Sequence, residues 1–131
     1  MEKLDHARPI ILLAEDEAII ALELADALEE MGFEIAGPFT TCSEAELWLK
    51  AHQPSGAILD NELKDGPCEV LAGDLKDRGI PFLVYSGHRR TADLPHVFQD
   101  VPWIVKPIST PDLVSALRSA LRPVGTSPGR D

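Results

Sequence analysis

Four places in this chain set a group fit for phosphoryl or metal chemistry directly after a run of apolar residues. Glu15 and Asp16 follow 10–14, Asp60 follows 56–59, Ser86 follows 80–85, and Lys106 follows 101–105. Taken singly, each has an ordinary explanation, since an Asp after a strand often caps a helix and Lys-Pro often makes a turn. Three carboxylates, a hydroxyl and an ammonium on one edge call for a shared one. Three converging acids repel unless a cation sits among them. Oxygen ligands without His or Cys favour Mg²⁺. A carboxylate beside such an ion can itself be the nucleophile and become an acyl phosphate. An ammonium and a hydroxyl facing it would hold the transferred oxygens. The stretch 57–66, in which an apolar run ends in Asp60 and a Gly66-containing turn follows, is the one the others serve.

The elements that must position these groups are legible in the spacing. Residues 10–14 are apolar without alternation, as in a parallel strand covered on both faces. Ile20, Leu24, Ala27, Leu28 and Met31 then fall at helical spacing, and Gly32 is placed to end that helix. A second strand is expected over 33–36, closed by Gly37-Pro38. Ser43 with Glu46 reads as a capping box, Leu47, Trp48 and Leu49 as the buried side of the next helix, and Pro54 as its end. Strand three is expected over 56–60, followed by a helix carrying Val70, Leu71 and Leu75 that Gly79 stops. Strand four covers 80–85, with Pro81 near its start, and strand five 101–105. Between them, 88–100 has few periodic apolar positions and predicts at most a short helix. Thr110-Pro111-Asp112 reads as an N-cap, a Pro at the first helical position and an acid in the first turn, before Leu113, Leu117 and Leu121.

Five alternations of strand and helix predict an α/β fold, a doubly wound five-stranded parallel sheet with helices on both faces. In such a sheet ligands bind beyond the carboxyl ends of the strands, where the candidate groups stand. The expected division is an extension over 1–8, one domain over 9–121 and a tail over 122–131 with little apolar content to order it.

The chain has 131 residues, 44% hydrophobic and 26% charged, with a formal net charge of −10. That balance argues against a nucleic-acid surface and suits a divalent cation or a basic protein partner, although simple solubility explains the acidic excess as well. No apolar stretch approaches the roughly 18 residues of a membrane span. The charged start lacks the apolar core of a signal peptide, so a cytoplasmic location is expected. Cys42 and Cys68 match no metal or redox spacing and are expected reduced.

The pattern resembles the receiver domain of two-component response regulators over residues 9 to 121. Glu15-Asp16, the Asp60 strand end, Ser86-Gly87 and Lys106-Pro107 stand in that family's order and at nearly its spacings. The resemblance implies the CheY-like strand order 2-1-3-4-5 and phosphorylation of Asp60 by a histidine kinase or phosphotransfer protein. It implies that Asp16 and Asp60 bind Mg²⁺ (or Mn²⁺) directly, Glu15 through water and Glu62 through its backbone carbonyl. Ser86 and Lys106 would then hold the phosphoryl oxygens, and Lys106-Pro107 would be a cis peptide. Trp103 matches the position of the switch aromatic, where the family usually has Tyr or Phe. Its inward swing would need more room, and the alternative is a Trp that covers the sheet edge. Pro81-Phe82 and Ser86-Gly87 are similar to a subgroup of single-domain receivers, from which Val84, Tyr85 and His88 depart. Glu62 and His88, two positions beyond Asp60 and Ser86, are candidates for tuning phosphoryl lifetime.

The rival chemistries lack their parts. Tyr85-Ser86-Gly87-His88 misses the first Gly of a hydrolase nucleophile elbow, and no Gly-rich phosphate loop follows the first strand. The expected output is a conformational signal to a protein effector through the segment after His88, the fifth strand and the final helix. A single-domain regulator is expected, with a homodimer among its partners; the alternatives are a phosphate sink, a phosphorylation-independent interaction module, or a receiver fragment of a larger hybrid kinase.

Overall fold

The computed structural model describes residues 8–121. Within them the chain forms β1 (Ile10–Ala14), α1 (Ala18–Glu30), β2 (Glu34–Phe39), α2 (Cys42–Ala51) and β3 (Gly56–Leu59). A small hairpin of β4 (Glu62–Leu63) and β5 (Gly66–Pro67) leads into α3 (Glu69–Asp77). Then come β6 (Phe82–Ser86), a 3-10 turn (His96–Phe98), β7 (Trp103–Val105) and α4 (Thr110–Leu121). Five strands pair in parallel in the order β2-β1-β3-β6-β7, the expected doubly wound arrangement.

Because successive strand residues face opposite ways, each strand feeds two cores. Leu12, Ala14, Ala57, Leu59, Phe82 and Val84 pack against Ala45 and Leu49 of α2, Leu71 and Leu75 of α3, and Phe98. Ile11, Leu13, Ile58, Leu83 and Tyr85 pack on the other side against Leu24 and Leu28 of α1 and Leu113, Val114 and Leu117 of α4. Burial on both faces is why these strands read as unbroken apolar runs. At the end of α1, Gly32 adopts φ +98°, and the Phe33 N–H turns back to the Leu28 carbonyl at 3.0 Å. That is the expected glycine stop.

Several boundaries differ from expectation for local reasons. The second strand continues through Gly37-Pro38 to Phe39, with a shift of register against β1 between Leu12 and Ala14. Gly37 has φ +106°, and a Cβ there would lie 2.7 Å from the Leu13 carbonyl oxygen, so glycine lets the strand pass. Thr41, not Ser43, caps α2, accepting from the Glu44 N–H at 3.2 Å. The expected capping box fails because the Ser43 hydroxyl is turned to Asp65, 3.0 Å away. Ser109 accepts from the Asp112 N–H and takes the capping place expected of Thr110. Leu47 and Val70, expected in the core, are exposed because α2 and α3 bury only the stripes through Leu49 and Leu71. Met31 is also exposed, at the end of α1. Strands four and five start at Phe82 and Trp103, and strand three ends at Leu59, which leaves Asp60 just past it.

The cysteines overturn the expectation of free thiols. Cys42 and Cys68 are joined in a disulfide with Cα atoms 5.6 Å apart, since the hairpin folds back onto the start of α2. The weak segment 88–100 does contain only the short 3-10 turn. Among the described residues no helix is long and apolar enough to cross a membrane. The expected tail over 122–131 lies outside the described residues.

Candidate functional site

Ladder hydrogen bonds carry the candidate residues into place. The Asp60 N–H donates to the Ala14 carbonyl at 3.0 Å, and the Lys106 N–H to the Ser86 carbonyl at 2.7 Å. The Glu15 N–H is held by the Phe39 carbonyl at 2.9 Å. Glu15, Asp60 and Lys106 are thus each the next rung after a strand, while Ser86 is the last residue of β6. Lys106-Pro107 is a cis peptide, as the resemblance implied.

Carboxylate oxygens of Glu15, Asp16 and Asp60 all lie within 4.8 Å of one another. Glu15 is nearly inaccessible, 2% exposed, whereas Asp16 and Asp60 are half-buried. The Lys106 Nζ lies 2.9 Å from Glu15 Oε1 and 3.0 Å from Asp60 Oδ2, with Glu17 Oε2 at 3.4 Å. It also stands 5.5 Å from the centre of the Tyr85 ring, which closes its inner side. Burial pushes the Glu15 carboxyl above its usual range. The Lys106 hydrogen bond, the Glu17 N–H and the Lys106 charge offset that only in part, and the Asp60 charge adds to the rise. For Lys106 burial works downward, but the hydrogen bonds to Glu15 and Asp60 and their charges win, so the ammonium is held more firmly than usual. One ammonium against this many carboxylates leaves the cluster net negative. Its donors are all oxygens, so the residues fit a hard divalent cation.

Ser86 is fully buried at the end of β6. Its hydroxyl donates to Asn61 Oδ1 at 2.7 Å and accepts from the His88 N–H at 3.1 Å. Glu62 has an exposed side chain, but its N–H points to Asp60 Oδ1 at 3.4 Å. The His88 side chain is exposed too, and its carbonyl accepts from the Trp103 indole N–H at 2.8 Å. Trp103 is half-buried, meets Phe98 edge-on at 6.3 Å, and has the Arg90 guanidinium 5.8 Å from its ring. Arg90 Nη1 in turn donates to the carbonyls of Phe98, Gln99 and Val101, holding the segment before β7 in shape.

The structure therefore gathers Glu15, Asp16, Asp60 and Lys106 directly, and links Ser86, His88 and Trp103 in a chain of hydrogen bonds beside them. Sequence reasoning missed Glu17, Asn61 and Tyr85 as participants. Glu17 and Asn61 adjoin recognised residues, which was the signal available. Tyr85 read only as a strand residue.

No family model matches the chain. In sequence it is 31% identical over 114 residues to the transcriptional regulatory protein PdtaR of Mycobacterium tuberculosis, a match covering 85% of this chain. The chain spans only 56% of that relative's length. In structure it is similar to SdrG from Sphingomonas melonis Fr1, with 29% identity and a TM-score of 0.71 over 88% of this chain and 97% of that one. It is also similar to the non-phosphorylated HemR receiver domain from Leptospira biflexa, with 25% identity and a TM-score of 0.78 over 88% and 96% of the two chains. Strand order, acidic cluster and these likenesses define the class. The chain has the CheY-like receiver fold, and its acidic cluster is consistent with a phosphoaccepting role in signalling.

Proposed function

We propose that Asp60 is the phosphoacceptor and that a histidine kinase phosphohistidine, or a phosphotransfer protein, is the donor. The observation that carries this is the Asp60 carboxylate itself, bonded to Lys106 at 3.0 Å inside a net-negative oxygen cluster. An Asp60 carboxylate oxygen attacks phosphorus, an O–P bond forms, and the N–P bond of the donor imidazole breaks. The leaving nitrogen keeps that electron pair. Lys106 and the Ser86 hydroxyl balance charge on the transferred oxygens. Glu15, Asp16 and Asp60 would hold Mg²⁺ or Mn²⁺, joined by the Glu62 backbone carbonyl, and the ion supplies neutralisation of phosphoryl charge when bound.

On this reading, engagement of Ser86 by the phosphoryl group is felt first at His88 and then at Trp103, since both are hydrogen-bonded in series with it. The signal would leave through the 3-10 turn, β7 and α4 to a protein effector or a second copy of the chain. The exposed side chains of Glu62 and His88 remain the proposed tuners of phosphoryl lifetime.

The test is intact mass after incubation with Mg²⁺ and acetyl phosphate, with Asp60→Asn alongside. A hydroxylamine-labile gain of one phosphoryl group, absent in the variant, is expected. No gain in a protein shown to bind Mg²⁺ would refute the phosphoacceptor assignment.

A further inference from the structure

We propose that Cys42 and Cys68 form a reversible redox site whose state sets how firmly the loop after Asp60 is held. The coupling to function rests on the phosphoacceptor reading above; the redox site itself does not. Cys42 opens α2 and Cys68 is the residue before α3, and both are nearly or fully buried. These are the only two cysteines in the chain, so the pair has no internal competitor for exchange.

The bridge closes a ring that contains the acceptor. The Cys68 N–H donates to the Asn61 carbonyl at 2.9 Å, which ties the backbone of one bridged cysteine to the neighbour of Asp60. Asn61 in turn holds the Ser86 hydroxyl, and the next residue, Glu62, points its N–H at Asp60. The other sulfur belongs to α2, whose first N–H groups, of Cys42 and Ser43, donate to the Asp65 carboxylate at 2.7 and 3.0 Å. The hairpin is therefore pinned to α2 by one covalent bond and by polar contacts that face solvent at Asp65. With the sulfurs as thiols the covalent tie is gone. Cys42 then has the Gly66 carbonyl at 3.5 Å as an acceptor, a weak bond in place of a covalent one. The loop 61–68 loosens, and with it the placement of the peptide that meets Asp60.

The chemistry balances as a thiol–disulfide exchange with a low-molecular-weight disulfide. One chain thiolate attacks the reagent disulfide, giving a mixed disulfide and one reagent thiol. The second cysteine displaces the other reagent thiol, so the chain gives up two electrons and two protons to the reagent. Cys42, the less buried residue of the two at 6% exposure, offers the reagent the nearer approach.

The experiment uses the full chain equilibrated with oxidised glutathione or with dithiothreitol. Maleimide labelling counts thiols, calorimetry gives Mg²⁺ affinity, and intact mass after acetyl phosphate gives the phosphorylation rate. We expect no labelled thiols in the oxidised form and two in the reduced form. Reduction should weaken Mg²⁺ binding about fivefold, the low end for coupled sites, and slow phosphorylation by a similar factor. The double variant Cys42→Ser, Cys68→Ser should match the reduced form with or without reductant. A bridge that resists dithiothreitol in the folded chain would overturn reversibility. Equal Mg²⁺ affinity in the two states, including none in either, would overturn the coupling, as would a double variant that responds to reductant like the parent. A redox difference in Mg²⁺ affinity without phosphoryl gain in either state would instead uphold this site and refute the phosphoacceptor reading.

Discussion

Replacing Asn61 by Ala should make the phosphoryl-engaged arrangement easier to reach. A serine hydroxyl has one proton to donate, and in this structure Ser86 gives it to Asn61 Oδ1 at 2.7 Å. To donate to a phosphoryl oxygen it must first release Asn61. A neutral hydrogen bond of this kind contributes about 1 kcal/mol net. Without it, the competing resting arrangement loses about that much, which corresponds to about a fivefold shift in equilibrium. The same change leaves the buried hydroxyl without its acceptor and should lower resting stability by about 1–2 kcal/mol. The assay is the affinity for beryllium fluoride, a phosphoryl mimic, in saturating Mg²⁺, measured in the parent, Asn61→Ala, Ser86→Ala and the double variant. Tighter binding in Asn61→Ala, about fivefold, should vanish on the Ser86→Ala background, giving a coupling of about 1 kcal/mol. Weaker binding in Asn61→Ala, or the same change with and without the Ser86 hydroxyl, would refute the argument that the two acceptors compete for one proton.

Other perturbations probe separate parts. Lys106→Met strips the cation from buried Glu15 and from Asp60, and should cost about 3 kcal/mol at neutral pH without metal. Thermal melts should show Mg²⁺ restoring more stability to this variant than to the parent, and a melt indifferent to Mg²⁺ would count against a cation among these carboxylates. The Asp65 carboxyl is held below its usual range by the N–H groups of Cys42 and Ser43. Its stabilising contribution is therefore present above the unfolded value, about 3.9, and is lost as pH falls through the depressed folded value. Asp65→Asn should flatten that acid limb in chemical denaturation, and an unchanged limb would show that the bonds from Cys42 and Ser43 to Asp65 contribute nothing. Trp103→Phe keeps the ring edge against Phe98 but removes the N–H to the His88 carbonyl, a loss of about 1 kcal/mol. Hydrogen exchange should then quicken in the 88–99 segment while the sheet stays protected, and equal protection throughout would mean that Trp103 does not tether it.

The sheet was legible because its signal is local. Unbroken apolar runs ending in Glu15, Asp60, Ser86 and Lys106 define strands buried on both faces, and the parallel topology then puts their carboxyl ends on one edge. Residue type and position alone therefore brought out the acidic cluster and its lysine. Partnerships across the fold were not legible in that way. Whether Cys42 meets Cys68 depends on how the hairpin after Asp60 folds back on α2, and whether Ser86 bonds Asn61 or Glu17 reaches Lys106 depends on how the loops beyond separate strands face one another. Helical spacing placed Leu47 and Val70 on apolar stripes, yet only packing decides how wide a stripe a neighbour covers, and both stayed in water. Ser43 had the spacing of a cap, but the Asp65 carboxylate, 22 residues away in the chain, claimed its hydroxyl and left the cap to Thr41. Periodicity determines which way a side chain faces, and only the tertiary structure determines what waits for it there.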